Sequence, residues 1–134
     1  MIIDGLTHVT ENGLWLDGKL DASAATLVRQ MDAAGVDKSI VTALHGAIPN
    51  KAVRNAVERF PDRLIGFAAP ELDTDPETEL KRLQDQGFAG VKLHPRLGRY
   101  SAGNATIYEL VAATVSVKLP VVLCSLCGNR DQLD

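Results

Sequence analysis

Long apolar runs are missing from this chain of 134 residues. None approaches the roughly 18 residues that a membrane-spanning helix needs, so no membrane partner is expected. A basic leader is missing as well. Residues 1–9 carry no Lys or Arg, and the apolar start is not read as a signal peptide. Basic residues are scattered rather than clustered, and a formal net charge of −3 leaves no electrostatic footprint for nucleic acid. Cysteine is scarce: two residues cannot build a disulfide framework. No Gly-x-Gly-x-x-Gly follows any apolar run, which removes the usual dinucleotide cradle. The expectation is therefore a cytoplasmic protein. Residues 1–134 are read as a single domain, long enough for a real core.

What is present is an alternation of short apolar runs and amphipathic stretches. Met1 to Val9 starts apolar and ends polar, as a buried strand does when it delivers side chains to a site. With a period of two, Asp4, Leu6 and His8 share one face. A polar loop, Thr10 to Lys19, follows. Asp21 or Ser23 is the expected cap of a helix ending at Gly35, with Leu27, Val28, Met31 and Ala34 on one face. Lys38 to Leu44 reads as a strand. Asn50 to Phe60 reads as a helix that buries Ala52, Val53, Ala56, Val57 and Phe60 and is stopped by Pro61. Arg63 to Ala69 is a third strand. Asp75-Pro76 opens a third helix running to Gly87, with Glu77 and Lys81 spaced as an i,i+4 pair. Gly90 to Leu93 is a fourth strand. Arg96 to Gly103 is a glycine-containing loop. Ile107, Leu110, Val111 and Val115 mark a fourth helix, and Pro120 to Leu123 a fifth strand.

This order argues for a parallel sheet with right-handed crossovers, closed either as an open doubly wound sheet or as part of a (β/α)8 barrel. The strand ends favour the barrel. His8, His45 and His94, all the histidines of the chain, fall at or just past C-terminal strand ends, and Glu71 and Cys124 do so for the other two. In barrels that face carries the chemistry. The fold class is read as α/β, a partial TIM (β/α)8 barrel of about five parallel strands and four helices.

The opening Asp4-Gly5-Leu6-Thr7-His8 resembles the start of the metal-dependent amidohydrolase superfamily, in its amidohydrolase-related branch of hydrolases and decarboxylases. Chains of that branch commonly begin Asp-(Gly/Ala)-His-Thr-His. Ala33-Ala34-Gly35-Val36-Asp37, Phe60-Pro61-Asp62-Arg63-Leu64-Ile65-Gly66-Phe67, Gly87-Phe88-Ala89-Gly90-Val91-Lys92-Leu93-His94-Pro95 and Leu119-Pro120-Val121-Val122-Leu123 are similar to later family segments, in the same order. The resemblance implies a divalent metal that polarises a substrate oxygen or generates hydroxide, held by His and carboxylate ligands from several strands. His8 matches the second His of the opening motif. Leu6 stands where the first belongs and has no lone pair to give. Cys124 stands where a further metal His is usual; a thiolate there suits zinc better than a harder metal. The implied metal ligands are thus His8 and Cys124, with zinc the implied ion. His94 matches a family histidine near the substrate, and Lys92, of the same strand parity, is paired with it as a candidate catalytic residue. A buried lysine needs a partner, and Asp4 is the expected one.

Blander readings stand beside these. His8 is equally read as a histidine hydrogen-bonded at a strand end, His45 as a loop residue with no ligand role, and Glu71 as solvated. Cys124 and Cys127 form a Cys-x-x-Cys, but no clear helix start follows to lower a thiol pKa, so two buried cysteines are expected rather than a redox pair. Five strands make rather more than half a barrel, which suggests a fragment of a longer chain, a homodimer closed through its sheet edges, or a small open domain. The functional expectation is a metal-dependent hydrolase of C–N or ester bonds, or a decarboxylase, or the N-terminal portion of one with an impaired metal site. The alternative is a non-catalytic scaffold or interaction module.

Overall fold

The structure is a computed structural model that describes residues 1–101 and 103–124. Five parallel strands run β1 (Ile3–Thr7), β2 (Lys38–Thr42), β3 (Leu64–Ala68), β4 (Gly90–Leu93) and β5 (Val121–Leu123). Helices α1 (Ala24–Ala34), α2 (Asn50–Arg59), α3 (Pro76–Asp85), the single turn α4 (Pro95–Gly98) and α5 (Ala105–Val117) lie between them. Spatial strand order equals sequence order, β1-β2-β3-β4-β5, and every pairing is parallel. A doubly wound sheet would reverse its order at a switch point. This one never does, and it curls as a half-barrel.

Local chemistry explains the helix boundaries. Ser23 caps α1 by accepting from the Thr26 N–H, and Gly35 ends it at φ 68°, a left-handed position that suits glycine. Asp75 caps α3 with Pro76 at its first position, and Lys81 pairs with Glu77 at 2.6 Å. Gly90 pairs with Phe67 across β3 and β4, and the Phe67 ring occupies the space a Cβ would need.

Three details depart from the sequence expectations. The loop expected after β4 begins with α4, for which His94 is the cap. Of the α1 residues expected inward, Ala34 is exposed, while Thr26 is buried with Met31. On α5 Thr114 turns inward with Ile107 and Leu110, leaving Val111 and Val115 exposed; the Thr114 hydroxyl is satisfied within its own helix by donating to the Val111 carbonyl, so its burial is cheap.

The core fills the space between the sheet and its helices. Val41, Val53, Leu80, Leu83 and Val91 are fully buried in it. Leu93 joins Ile107 and Leu110 in a smaller cluster under α5. Among the described residues no helix is long and apolar enough to cross a membrane.

Candidate active site

The packing of β4 decides which residues face the mouth. Val91 and Leu93 go to the helix side. By strand alternation Lys92 and His94 then lie on the opposite, concave side. Lys92 is 2 % exposed, and its ammonium makes no hydrogen bond or ion pair among the described residues. The expected partner, Asp4, is not one. It is exposed, and its carboxylate accepts from the Leu6 N–H in its own strand. The β1–β2 register also shifts between Asp4 and Thr7, which breaks the period-two argument that placed Asp4, Leu6 and His8 together. Burial pushes Lys92 below the ordinary lysine range, and Cys124 beside it opposes that shift. Among the described residues the only fully buried side-chain nitrogen or oxygen without a partner is His45 Nδ1. The Lys92 ammonium is therefore not fully enclosed, although the residue as a whole is covered, a stem-in, head-out arrangement usual for long cationic side chains.

The two mouth histidines are fixed in opposite tautomers. His8 Nδ1 lies 3.1 Å from the Thr42 carbonyl, which only accepts, so Nδ1 carries the proton and Nε2 the lone pair. Thr42 Oγ1 is 3.0 Å from the same nitrogen. His94 Nδ1 accepts from the Leu97 N–H at 3.3 Å, which leaves its proton on Nε2. Burial first, and Lys92 after it, hold His94 below the usual imidazole value. His8 is lowered by burial, opposed by its bond to Thr42, with Lys92 a further lowering cause. Both rings are thus neutral near pH 7.

Neighbouring residues position this set. Tyr100 returns from beyond α4, and its hydroxyl accepts from the His94 backbone N–H at 2.8 Å. Burial pushes its phenol up to about 12. A Cβ at Gly98 would collide with the Tyr100 ring, so glycine is what lets that ring settle. Trp15 lies against His8, ring centroids 5.8 Å apart. It is carried by residues 10–22, which are not a slack loop: Thr10 N–H donates to Ala22 O, Trp15 N–H to Leu20 O and Ala22 N–H to Gly13 O. Sequence reasoning missed both aromatics, since neither lies at a strand end. The Cys124 N–H donates to Leu93 O at 2.9 Å, and its thiol is free and half-buried. Cys127 lies outside the described residues.

His45 and Glu71 sit apart, around a cleft of about 660 Å3 between the β2–α2 and β3–α3 loops. His45 Nε2 donates to the Pro70 carbonyl at 2.8 Å. Glu71 is exposed, and Asn50 ties the two loops by its paired bonds to the Ala69 backbone.

The amidohydrolase family model matches residues 15–132. The chain belongs to the amidohydrolase family. Solved structures of similar fold include the probable 2-pyrone-4,6-dicarboxylic acid hydrolase of Acinetobacter baumannii with citric acid bound (TM-score 0.68, 22 % identity, 91 % of this chain and 48 % of that one). Another is the 5-carboxyvanillate decarboxylase of Novosphingobium aromaticivorans with bound manganese and 3-methoxy-4-hydroxy-5-nitrobenzoic acid (TM-score 0.63, 19 % identity, 90 % and 49 %). The 5-carboxyvanillate decarboxylase of Sphingomonas paucimobilis is a third (TM-score 0.63, 13 % identity, 97 % and 53 %). This chain spans about half the length of these amidohydrolase-fold structures. No curated protein sequence matches it.

The family implies a divalent metal, and the donor set here does not fit one. Leu6 has no lone pair and is 47 % exposed. No group of three or more His, Cys, Asp or Glu side chains converges among the described residues. A metal site needs three or four such donors. His8 Nε2 and the Cys124 thiol are the donors left of the expected set.

Proposed function

We propose that the mouth formed by His8, Lys92, His94 and Cys124 binds a small carboxylate-bearing molecule, in an amidohydrolase of the hydrolase or decarboxylase kind. The observation that carries this reading is Lys92. A lysine only 2 % exposed as a residue, with no carboxylate partner among the described residues, carries a desolvation cost that an anion arriving from outside would compensate. His94 adds an Nε2–H donor beside it. His8 presents the complementary lone pair. Lys92 thus anchors the carboxylate, His94 donates a hydrogen bond or proton to an adjoining substrate oxygen, and His8 accepts one. The names of the similar structures support this choice, since the Acinetobacter protein was solved with citric acid and the Novosphingobium enzyme with a nitrobenzoic acid.

His8 and Cys124 are a zinc-type pair by their softness, but as two donors they hold no catalytic metal by themselves, and no step is assigned to one. The test is a titration of the purified chain with benzoate and with benzamide, its uncharged isostere, followed by calorimetry. Benzoate binds at least about tenfold tighter, as expected for a charge-assisted pair in a desolvated site, and Lys92→Met removes the difference. Equal binding of the two, or discrimination that survives Lys92→Met, ends the carboxylate reading.

A second reading, a non-catalytic module that pairs through its sheet edges as a homodimer, is favoured by β1 and β5. Each is hydrogen-bonded on one side only among the described residues, and Ile3, Leu6 and Leu123 are exposed along them. Exposed edges of this sort recruit further strands. A dimer in native mass spectrometry that binds neither benzoate nor benzamide supports this module over the enzyme.

A further inference from the structure

We infer that the mouth of this chain takes its carboxylate without a divalent metal, the Lys92 ammonium supplying the positive charge that a metal would otherwise bring. The inference rests on the proposed reading for the anion and adds to it the absence of a metal requirement.

Donor chemistry carries the first half. A divalent cation at a strand-end site is held by imidazoles, thiolates and carboxylates converging from several strands. Here β1 offers His8 but places Leu6 where a second imidazole is needed. β5 offers Cys124. β4 offers His94, whose Nδ1 already accepts from the Leu97 N–H and whose Nε2 is the protonated nitrogen. A protonated nitrogen is a donor and repels a cation. Among the described residues no third ligand joins His8 and Cys124, and the exposed Asp4 carboxylate is engaged with Leu6.

Charge carries the second half. β4 and β5 pair in register at Lys92–Val122 and Leu93–Leu123, and Cys124 N–H donates to Leu93 O, so Lys92, His94 and Cys124 leave neighbouring strand ends, and Lys92 acts electrostatically on both histidines. No Asp or Glu among the described residues neutralises it: the ion pairs of the acidic side chains all go to other cations. Beside a largely desolvated lysine a second cation is repelled by several kcal/mol, whereas an anion there relieves the burial of Lys92. The mouth is built as an anion hole whose fixed charge is covalently attached. Its complement is a carboxylate with an adjoining oxygen that accepts from His94 and a hydroxyl that donates to His8.

The experiment uses the purified full chain and three conditions: EDTA, added zinc, and added manganese. Benzoate affinity is measured in each by calorimetry, and zinc stoichiometry by native mass spectrometry. Benzoate affinity unchanged within twofold across the three, at least about tenfold weaker in Lys92→Gln, and no stoichiometric zinc adduct establish the metal-free site. Affinity that vanishes in EDTA and returns with zinc or manganese overturns the inference while leaving the carboxylate reading intact. So does a one-to-one zinc adduct lost in His8→Gln. No benzoate binding under any condition removes both. The EDTA comparison is made on the unaltered protein, so it decides the point even if a Lys92 variant fails to fold.

Discussion

The two ends of the half-barrel treat their polar groups in opposite ways. At the N-terminal end of the strands, each nitrogen of the Arg63 guanidinium has a partner: Nε donates to Asp37 O, Nη2 to Val36 O and Nη1 to the Asp32 carboxylate at 2.7 Å. Gln84 crosses from the end of α3 to the Val117 carbonyl of α5 at 2.8 Å. Every one of those groups has a reason to stay where it is. At the C-terminal end, among the described residues, Lys92 has no counter-charge, His45 Nδ1 has no partner, and His8 and His94 each leave one ring nitrogen unspent. One end closes its accounts within the chain, and the other leaves donors and acceptors without a protein partner among the described residues, which is what the proposed anion site requires. In barrels, the bottom face carries stability and the top face carries chemistry, and this chain shows the division in its hydrogen bonds.

The closed half is where substitution costs most. Gly90→Ala would drive a Cβ into the Phe67 ring at a fully buried site on β4. Overpacking of this kind costs about 2–3 kcal/mol, read as a lowered urea midpoint with an unchanged slope. A loss below about 1 kcal/mol would mean that Phe67 has room to swing away, and that the sheet is looser than its packing implies.

The comparison predicts a change of sign between one cation at each end. Arg63→Ala strands two carbonyls and a carboxylate and destabilises by about 1–2 kcal/mol. Lys92→Met removes a desolvated charge with no partner among the described residues to strand, and stabilises by about 1 kcal/mol while weakening benzoate at least about tenfold, to the level of benzamide. The same denaturation series measures both. Two losses of equal size would put Lys92 in a structural role and dissolve the contrast.

Much of this was legible in the sequence because it follows from local rules. The alternation of periods gave the strands and four of the five helices, and caps such as Ser23, Gly35 and Asp75 act within a few residues of themselves. The histidines at strand ends pointed to the mouth because parallel strands deliver their C-terminal residues to one face. What escaped reading depends on distance. The partner assigned to Lys92 failed because a register shift in β1 turned Asp4 to its own backbone. Trp15 reaches His8 only because residues 10–22 fold back on themselves, and Tyr100 reaches the His94 backbone only because α4 reverses the chain. The tautomers of His8 and His94 rest on Thr42 O and the Leu97 N–H, one of them 34 residues away. No periodicity encodes such contacts.

The smallest expected effect is also the most specific to the open end. His94 is held below its ordinary pKa by burial and by Lys92, so the unfolded chain binds its proton more readily than the folded one. Stability from this group is full above the unfolded value of about 6.5 and is lost as pH falls from there toward the lowered folded value. Urea midpoints at pH 7.5, 6.5 and 5.5 should therefore decline less in His94→Gln than in the unaltered chain, since the difference between the two isolates this group from the many carboxylates. Benzoate should shrink the decline as well, because an anion between Lys92 and His94 favours the charged imidazole and offsets the ammonium that opposed it. If the slope is the same with and without His94, the ring is solvated enough to titrate freely, and the mouth is wetter than the burial of Lys92 implies. If the slope responds to the substitution but not to benzoate, the anion sits on Lys92 alone, away from His94.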